Sequence, residues 1–138
     1  MTDYARIEDI EAALKPGNRI AVVGLSDKPD RPSFRVAQYL QKAGYKIVPV
    51  NPNAAEILGE KSYPDLMSIP GAIDVVDVFR KPDTVEPIVD EAERLKTPII
   101  WFQEGVVNIA AAEKARRAGI RVVMDRCMLK EHLKSVGT

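Results

Sequence analysis

The chain has 138 residues, 46% of them apolar and 29% charged, which predicts a single domain over residues 1–138 with room for one substantial core. Twenty Lys and Arg balance twenty Asp and Glu, so overall charge favours neither nucleic acid nor an anionic membrane, and any cationic site must be local. One cysteine, Cys127, excludes an internal disulfide and a multi-Cys metal site, and with one histidine, His132, the composition argues against Cys/His zinc ligation.

The first residues, Met1 to Arg6, lack a basic stretch followed by an apolar one, and no apolar run approaches the ~20 residues of a membrane span. No signal peptide and no membrane partner are expected, and the cytoplasm is the expected location. Ile7, Ile10, Ala13 and Leu14 predict one face of a short first helix, stopped by Pro16-Gly17. Arg19 to Val23 reads as a buried strand ending at Gly24. Ser33 to Ala43 reads as a helix with Val36, Ala37, Tyr39, Leu40 and Ala43 inward, Ser33 capping its start and Gly44 its stop. Lys46 to Val50 is a second strand, and Pro49 within it predicts a sheet edge or a bulge.

Asn51 to Pro70 is irregular, with a short strand near Lys61-Ser62-Tyr63 and a helical turn at Leu66-Met67. Asp74 to Phe79 is a third strand. Thr84 to Leu95 is a helix, with Thr84 as its cap and Pro87 in the first turn, where a missing N–H costs little. Pro98 to Phe102, Asn108 to Ala118, Ile120 to Met124 and Met128 to Leu133 complete the alternation as strand, helix, strand and short helix. Trp101 reads as core. Strands rich in Val and Ile alternating with amphipathic helices imply a parallel sheet covered on both faces. The expected class is α/β: a Rossmann-like, doubly wound, mainly parallel five-stranded sheet, with an N-terminal helix and a possible short extra strand.

In such sheets ligands bind beyond the carboxyl ends of the strands, where strand order reverses. The first of those loops runs from Gly24 through Leu25, Ser26, Lys28 and Arg31 to Ser33. Glycine lets a ligand approach the backbone, and the helix start offers free N–H groups. Ser26 and Ser33 add hydroxyls; Lys28, Arg31 and Arg35 add charge. Arg31 and Arg35 are four apart and share a side if both are helical. Phosphate binding is the reading favoured over a plain tight turn. The loop has Ser26 where a dinucleotide fingerprint has its second glycine, and it lacks a P-loop ending. Asn51-Pro52-Asn53 follows the second strand where NAD sites carry an acid, so an anionic nucleotide other than plain NAD is indicated. Phe79-Arg80-Lys81 adds two cations that serve a phosphate or a solvated loop equally well, and Gln103 and Gly105 are placed to line the crevice.

Together these loops resemble a known family. Val23-Gly24-Leu25-Ser26, Arg31-Pro32-Ser33, Gly44-Tyr45 and Val50-Asn51-Pro52-Asn53 are followed by Tyr63-Pro64-Asp65-Leu66, Val78-Phe79-Arg80, Trp101-Phe102-Gln103 and Asp125-Arg126-Cys127. In that order, from about Ile7 to His132, they look like the small single-domain CoA-binding proteins, which resemble the N-terminal domain of the succinyl-CoA synthetase α subunit. The resemblance implies coenzyme A or an acyl-CoA held across the strand ends. Glu104 departs from it, an acid where relatives are expected to be apolar. A 3′-phosphate on the ribose suits a neutral residue after the second strand, in agreement with the loop chemistry.

Catalytic groups are sparse. Cys127 and His132 lie five apart in sequence, off a common helical face, and read as a half-buried thiol and a solvated histidine. A mixed disulfide of Cys127 with a thiol ligand stays open. Asp74, Asp77 and Asp125 read as caps and turn residues rather than a magnesium site. The synthetase's phosphohistidine domain and partner subunit do not fit in 138 residues, so its activity is not expected here. The expectation is a CoA carrier, sensor or accessory module, with an unidentified protein partner possible. The alternative is an NADP- or other nucleotide-dependent enzyme using the same crevice.

Overall fold

The computed structural model describes residues 3–136. In chain order the elements are α1 (Ile7–Ala13), β1 (Arg19–Val23), α2 (Pro32–Lys42), β2 (Lys46–Val50), β3 (Glu56–Ile57), β4 (Glu60–Lys61), β5 (Val75–Val78), α3 (Glu86–Arg94), β6 (Ile99–Phe102), α4 (Ile109–Arg117), β7 (Arg121–Met124) and α5 (Met128–Val136). Five strands form one sheet in the order β2-β1-β5-β6-β7, every pairing parallel. β3 and β4 form a separate antiparallel hairpin.

Side chains alternate across the sheet and fill two cores. Ala21, Val23, Val76, Val78, Ile100 and Phe102 face α3 and α4, which contribute Ile88, Val89, Ala92, Ala111, Ala112 and Ala115. Ile20, Val22, Val75, Trp101 and Val123 face the other way, toward Ala13 of α1, Val36 and Leu40 of α2 and Met128 of α5. Helices on both faces bury both sides of the strands, which is why β1, β5 and β6 are almost wholly apolar, with Arg19 at the start of β1 and Asp77 within β5 as the exceptions. Trp101 is fully buried and gives its indole N–H to the Arg126 carbonyl at 2.8 Å. β2 is an edge strand, as Pro49 required.

Several local expectations are corrected. Ile7 is 71% exposed; the buried polar residue of α1 is Asp9, which accepts from Arg121 at 2.8 Å. Arg31, not Ser33, is the N-cap of α2, and its side chain makes no capping bond. Ser33 sits inside the first turn and accepts from the Ser26 N–H at 3.0 Å. Thr84 does not cap α3 either. It ends a 3₁₀ turn, Pro82–Thr84, and bonds back to the Lys81 carbonyl at 2.8 Å. Between Asn51 and Pro70 the strand pair is Glu56–Ile57 with Glu60–Lys61, while Tyr63 makes a lone parallel bridge to Val50. The 3₁₀ turn Leu66–Ser68 lies where a helical turn was expected, capped by Asp65.

Asn108 is the N-cap of α4. Its Oδ1 accepts from the Ala111 N–H at 2.9 Å and its Nδ2 donates to the Pro82 carbonyl at 2.8 Å. The second bond ties α4 to the loop after β5. Asn108→Ala is expected to cost about 1–2 kcal/mol, cap and tie together, read as a lower urea midpoint with an unchanged slope.

Candidate functional site

The sheet order reverses between β1 and β5, the switch point at which doubly wound folds bind ligands. Gly24 leaves β1 there with φ +88, and a Cβ on it would lie 2.1 Å from the Phe79 carbonyl oxygen. Only glycine permits that approach. Gly24 N–H donates to Val50 O at 3.0 Å and Phe79 N–H to Val23 O at 2.8 Å, so the three strand ends are tied together.

A cavity of ≈ 720 Å³ opens over this joint. Of the residues singled out from sequence, Gly24, Ser26, Lys28, Arg31, Ser33, Phe79, Arg80, Gln103 and Gly105 line it. Leu25, Arg35, Asn51 and Pro52 do not. Leu25 is fully buried. Arg35 is exposed on α2 outside the cavity. Arg31 has φ −81 and ψ 144, so it is extended, and the shared helical face proposed for Arg31 and Arg35 does not form. Asn51 works behind the cavity: its Nδ2 donates to the Leu25 carbonyl at 2.9 Å and its Oδ1 accepts from the Asn53 N–H at 2.8 Å. Its amide therefore braces the loop it was expected to complement.

The loop itself is braced by hydroxyls. Ser33 Oγ accepts from Ser26 N–H, and Ser26 Oγ accepts from Lys28 N–H at 3.1 Å. Each hydroxyl keeps a hydrogen to donate. Pro32 opens α2 without an N–H, and the helix start has no side-chain cap, so the Ser33 and Phe34 N–H groups lack intrahelical acceptors at its positive end. Lys28, Arg31, Arg80 and Lys81 set four cations around this point. Glu104 also lines the cavity, but Lys130 donates to both its oxygens, at 3.0 and 3.2 Å, so the acid arrives paired.

Val36 and Val106, not singled out for the site from sequence, also line the cavity, as does Cys127, left open there only for a mixed disulfide with a thiol ligand. Cys127 follows the carboxyl end of β7, and that position alone was enough to nominate it. His132 is not its partner: Nδ1 meets the Tyr39 hydroxyl at 2.7 Å, and the ring packs edge-on against Tyr39 and Tyr45. Asp74 Oδ2 accepts from Arg19 N–H at 2.7 Å and Asp125 Oδ1 from Gly105 N–H at 2.8 Å, the loop roles expected of them.

Asp77 is different. It is fully buried in β5 and accepts from Gln103 Nε2 at 2.7 Å, while its Oδ2 has no partner among the described residues. Burial without a countercharge lifts its carboxyl to about 7, with the Gln103 bond pulling the other way. An acid raised by folding keeps its proton where the unfolded chain has lost it. The resulting stability is present in full below the ordinary carboxylate value of about 4 and is lost as pH rises through about 7. Urea unfolding at about pH 5 and about pH 8 is expected to show that decline, and Asp77→Asn to flatten it.

The family model for the CoA binding domain matches residues 18–133. The chain belongs to the CoA binding domain family. Among relatives of this CoA binding domain, the Bacillus subtilis (strain 168) protein YneT, itself uncharacterised, is 42% identical over 124 residues, covering 90% of this chain and 92% of YneT. The ADP-forming acetate–CoA ligase II of Archaeoglobus fulgidus is 36% identical over 132 residues, covering 87% of this chain but 19% of the ligase. Among solved structures, a protein from Pyrococcus horikoshii OT3 is 40% identical with a TM-score of 0.88, over 97% of this chain and 98% of that one. Prb, the PH1109 protein redesigned for binding, is 39% identical with a TM-score of 0.93, over 100% and 97% of the two chains. The resemblance to small CoA-binding proteins and the Rossmann-like, doubly wound fold both hold. Among the described residues no helix is long and apolar enough to cross a membrane.

Proposed function

We propose that this CoA binding domain holds coenzyme A, or an acyl-CoA, in the cavity at the β1–β5 switch point, as a carrier, sensor or accessory module without ligase chemistry of its own. The observation that carries the reading is the four-cation opening over the Gly24–Phe79 contact, within a chain matched by the CoA binding domain model. Phosphates suit the cations, the hydroxyls of Ser26 and Ser33 and the start of α2. Val36, Phe79, Pro82 and Val106 offer apolar wall to the uncharged arm of the same ligand. The engagement of His132 with Tyr39, away from Cys127, supports binding rather than thioester hydrolysis. A cytoplasmic setting accords with this ligand, and any protein partner would meet the loaded form.

CoA at ~100 times its dissociation constant is expected to add about 2.7 kcal/mol of stability, a melting-temperature rise of several degrees. Calorimetric titration with CoA, beside NADP, and mass spectrometry of small molecules released from purified protein test the reading. No heat and no thermal shift at millimolar CoA and low ionic strength, or tighter binding of NADP, would replace it.

A further inference from the structure

The Asp77–Gln103 pair lies directly behind the cavity wall. Gln103 is 3% exposed and lines the cavity, and its Nε2 is given to Asp77 behind it. Its backbone is fixed, with N–H to Val78 O at 3.2 Å and its carbonyl accepting from Val106 N–H at 2.8 Å. With the backbone held, reorientation of Gln103 falls to its side-chain amide. Ionised Asp77 accepts only, so it requires the NH₂ of Gln103 and leaves the amide oxygen for the cavity. Protonated Asp77 is a donor, and it can pair with the amide oxygen and leave the NH₂ for the cavity.

We propose that Asp77 is a positioning residue for Gln103, setting whether the cavity meets an acceptor or a donor, and that an anionic ligand is bound there together with a proton taken up by Asp77. Two effects act in the same direction. An anion accepts hydrogen bonds and so favours the NH₂-outward amide, and its charge disfavours a second negative charge behind the wall. The raised carboxyl puts the exchange within reach of neutral pH.

The neighbours of Asp77 in register are apolar, Val22 on β1 and Trp101 on β6. The charged and titratable groups on the surrounding elements include Asp27, Lys28, Asp30 and Arg31 before α2, Arg35, Tyr39 and Lys42 within it, Arg80 and Lys81 after β5, and Glu104 after β6. To these α5 and its approach add Arg126, Cys127, Lys130, Glu131, His132 and Lys134, and α1 adds Glu8, Asp9 and Glu11, of which Asp9 is paired with Arg121. Among the described residues none of them is hydrogen-bonded or ion-paired to Asp77. The cavity cations favour its ionised form, and a bound anion offsets them.

The amide rotation needs no ligand; the proton uptake rests on the CoA reading above. The first experiment therefore uses the unliganded protein. The Asp77 carboxyl carbon and the Gln103 side-chain N–H₂ resonances are followed by NMR from about pH 5 to about pH 9. Both are expected to titrate together with a midpoint near 7, and the Gln103 signals to be flat in Asp77→Asn. The carboxyl signal of the wild-type chain serves even if the variant folds poorly. A carboxyl that does not titrate in this range, or Gln103 signals that ignore it or titrate alike in Asp77→Asn, would overturn the proposal.

The second experiment uses 3′-dephospho-CoA, which lacks the phosphomonoester that itself titrates near 6. Calorimetry in buffers of different ionisation heat is expected to show proton uptake by the wild type and none by Asp77→Asn. For a midpoint raised by one pH unit on binding, affinity falls about tenfold from acid to alkaline pH in the wild type and stays level in the variant. Binding without proton uptake sinks the linkage and leaves the CoA reading standing. Absence of binding, with the paired titration intact, sinks the CoA reading and leaves the positioning role standing.

Discussion

Gly24→Ala is expected to destabilise the protein by about 2–5 kcal/mol and to abolish ligand binding. Two costs combine. A φ of +88 is strained for any residue with a Cβ, by about 1–2 kcal/mol. The added carbon would also stand 2.1 Å from the Phe79 carbonyl oxygen and 3.4 Å from Arg80 Cδ. The oxygen belongs to backbone, so the ends of β1 and β5 must separate, at a further cost of about 1–3 kcal/mol typical of overpacking. Against a total stability of roughly 5–15 kcal/mol, the melting temperature should fall by roughly 10–20 °C. Gly119→Ala is the matched control. Its φ is +83 but nothing lies within 4 Å of its added Cβ, so the conformational cost alone, about 1–2 kcal/mol, is expected. Equal losses in the two variants would mean that the β1–β5 contact does not depend on the missing side chain.

The second large effect concerns affinity. Arg80 lines both the main cavity and a smaller one on the α3 side of the sheet. Arg31 lines the main cavity from the start of α2. Arg80→Ala and Arg31→Ala are each expected to weaken CoA binding by about 1.5–3 kcal/mol, or roughly 10–150-fold, as charged hydrogen bonds to phosphate are lost. Arg35→Ala is expected to change affinity little, since Arg35 lies outside the cavity. Arg117 is an exposed cation on α4 and makes a sound control. Arg116 does not, because it stacks over Tyr4 at 4.2 Å and donates to the Asp3 carbonyl. Small, equal losses in Arg80, Arg31 and Arg117 variants would place the phosphates elsewhere. Loss that shrinks with dephospho-CoA would assign that arginine to the 3′-phosphate.

How far these residues were legible depended on the kind of signal each carries. β1, β5 and β6 are buried on both faces, and burial writes itself as mainly apolar runs rich in Val and Ile. The β3–β4 hairpin carries no such pattern: Glu56, Glu60 and Lys61 are exposed, and the turn between the strands puts Leu58 at φ +56 beside Gly59, which composition does not announce. Gly24, Ser26 and Arg31 were found because the switch point of the fold fixes where a ligand enters. Arg35 was chosen by spacing, and spacing presumed that Arg31 was helical. The residue before a proline is pushed out of the helical region, and Pro32 does that to Arg31. Asn51 was read as a ligand contact from its place after β2, whereas its amide is used by the Leu25 carbonyl and the Asn53 N–H. Asp77 is legible as part of the third strand from the Val residues around it, but nothing in the sequence says that Gln103, 26 residues on, is its partner.

The lone bridge from Tyr63 to Val50 has a counterpart at the far side of the sheet. Tyr63 N–H donates to Pro49 O at 3.0 Å and Asn51 N–H to Tyr63 O at 2.9 Å, on the outer rim of β2; Met124 N–H donates to Tyr4 O at 2.7 Å on the outer rim of β7. Each open edge is thus stoppered at its carboxyl end by a tyrosine segment, and Pro49 withholds one more donor from β2. An incoming strand would have to displace those segments before it found a continuous ladder. Copies of this chain at high concentration should therefore resist runaway sheet extension, and any assembly they form should be built through side chains on the helices, leaving the end of the sheet where the cavity opens clear of a neighbour's backbone.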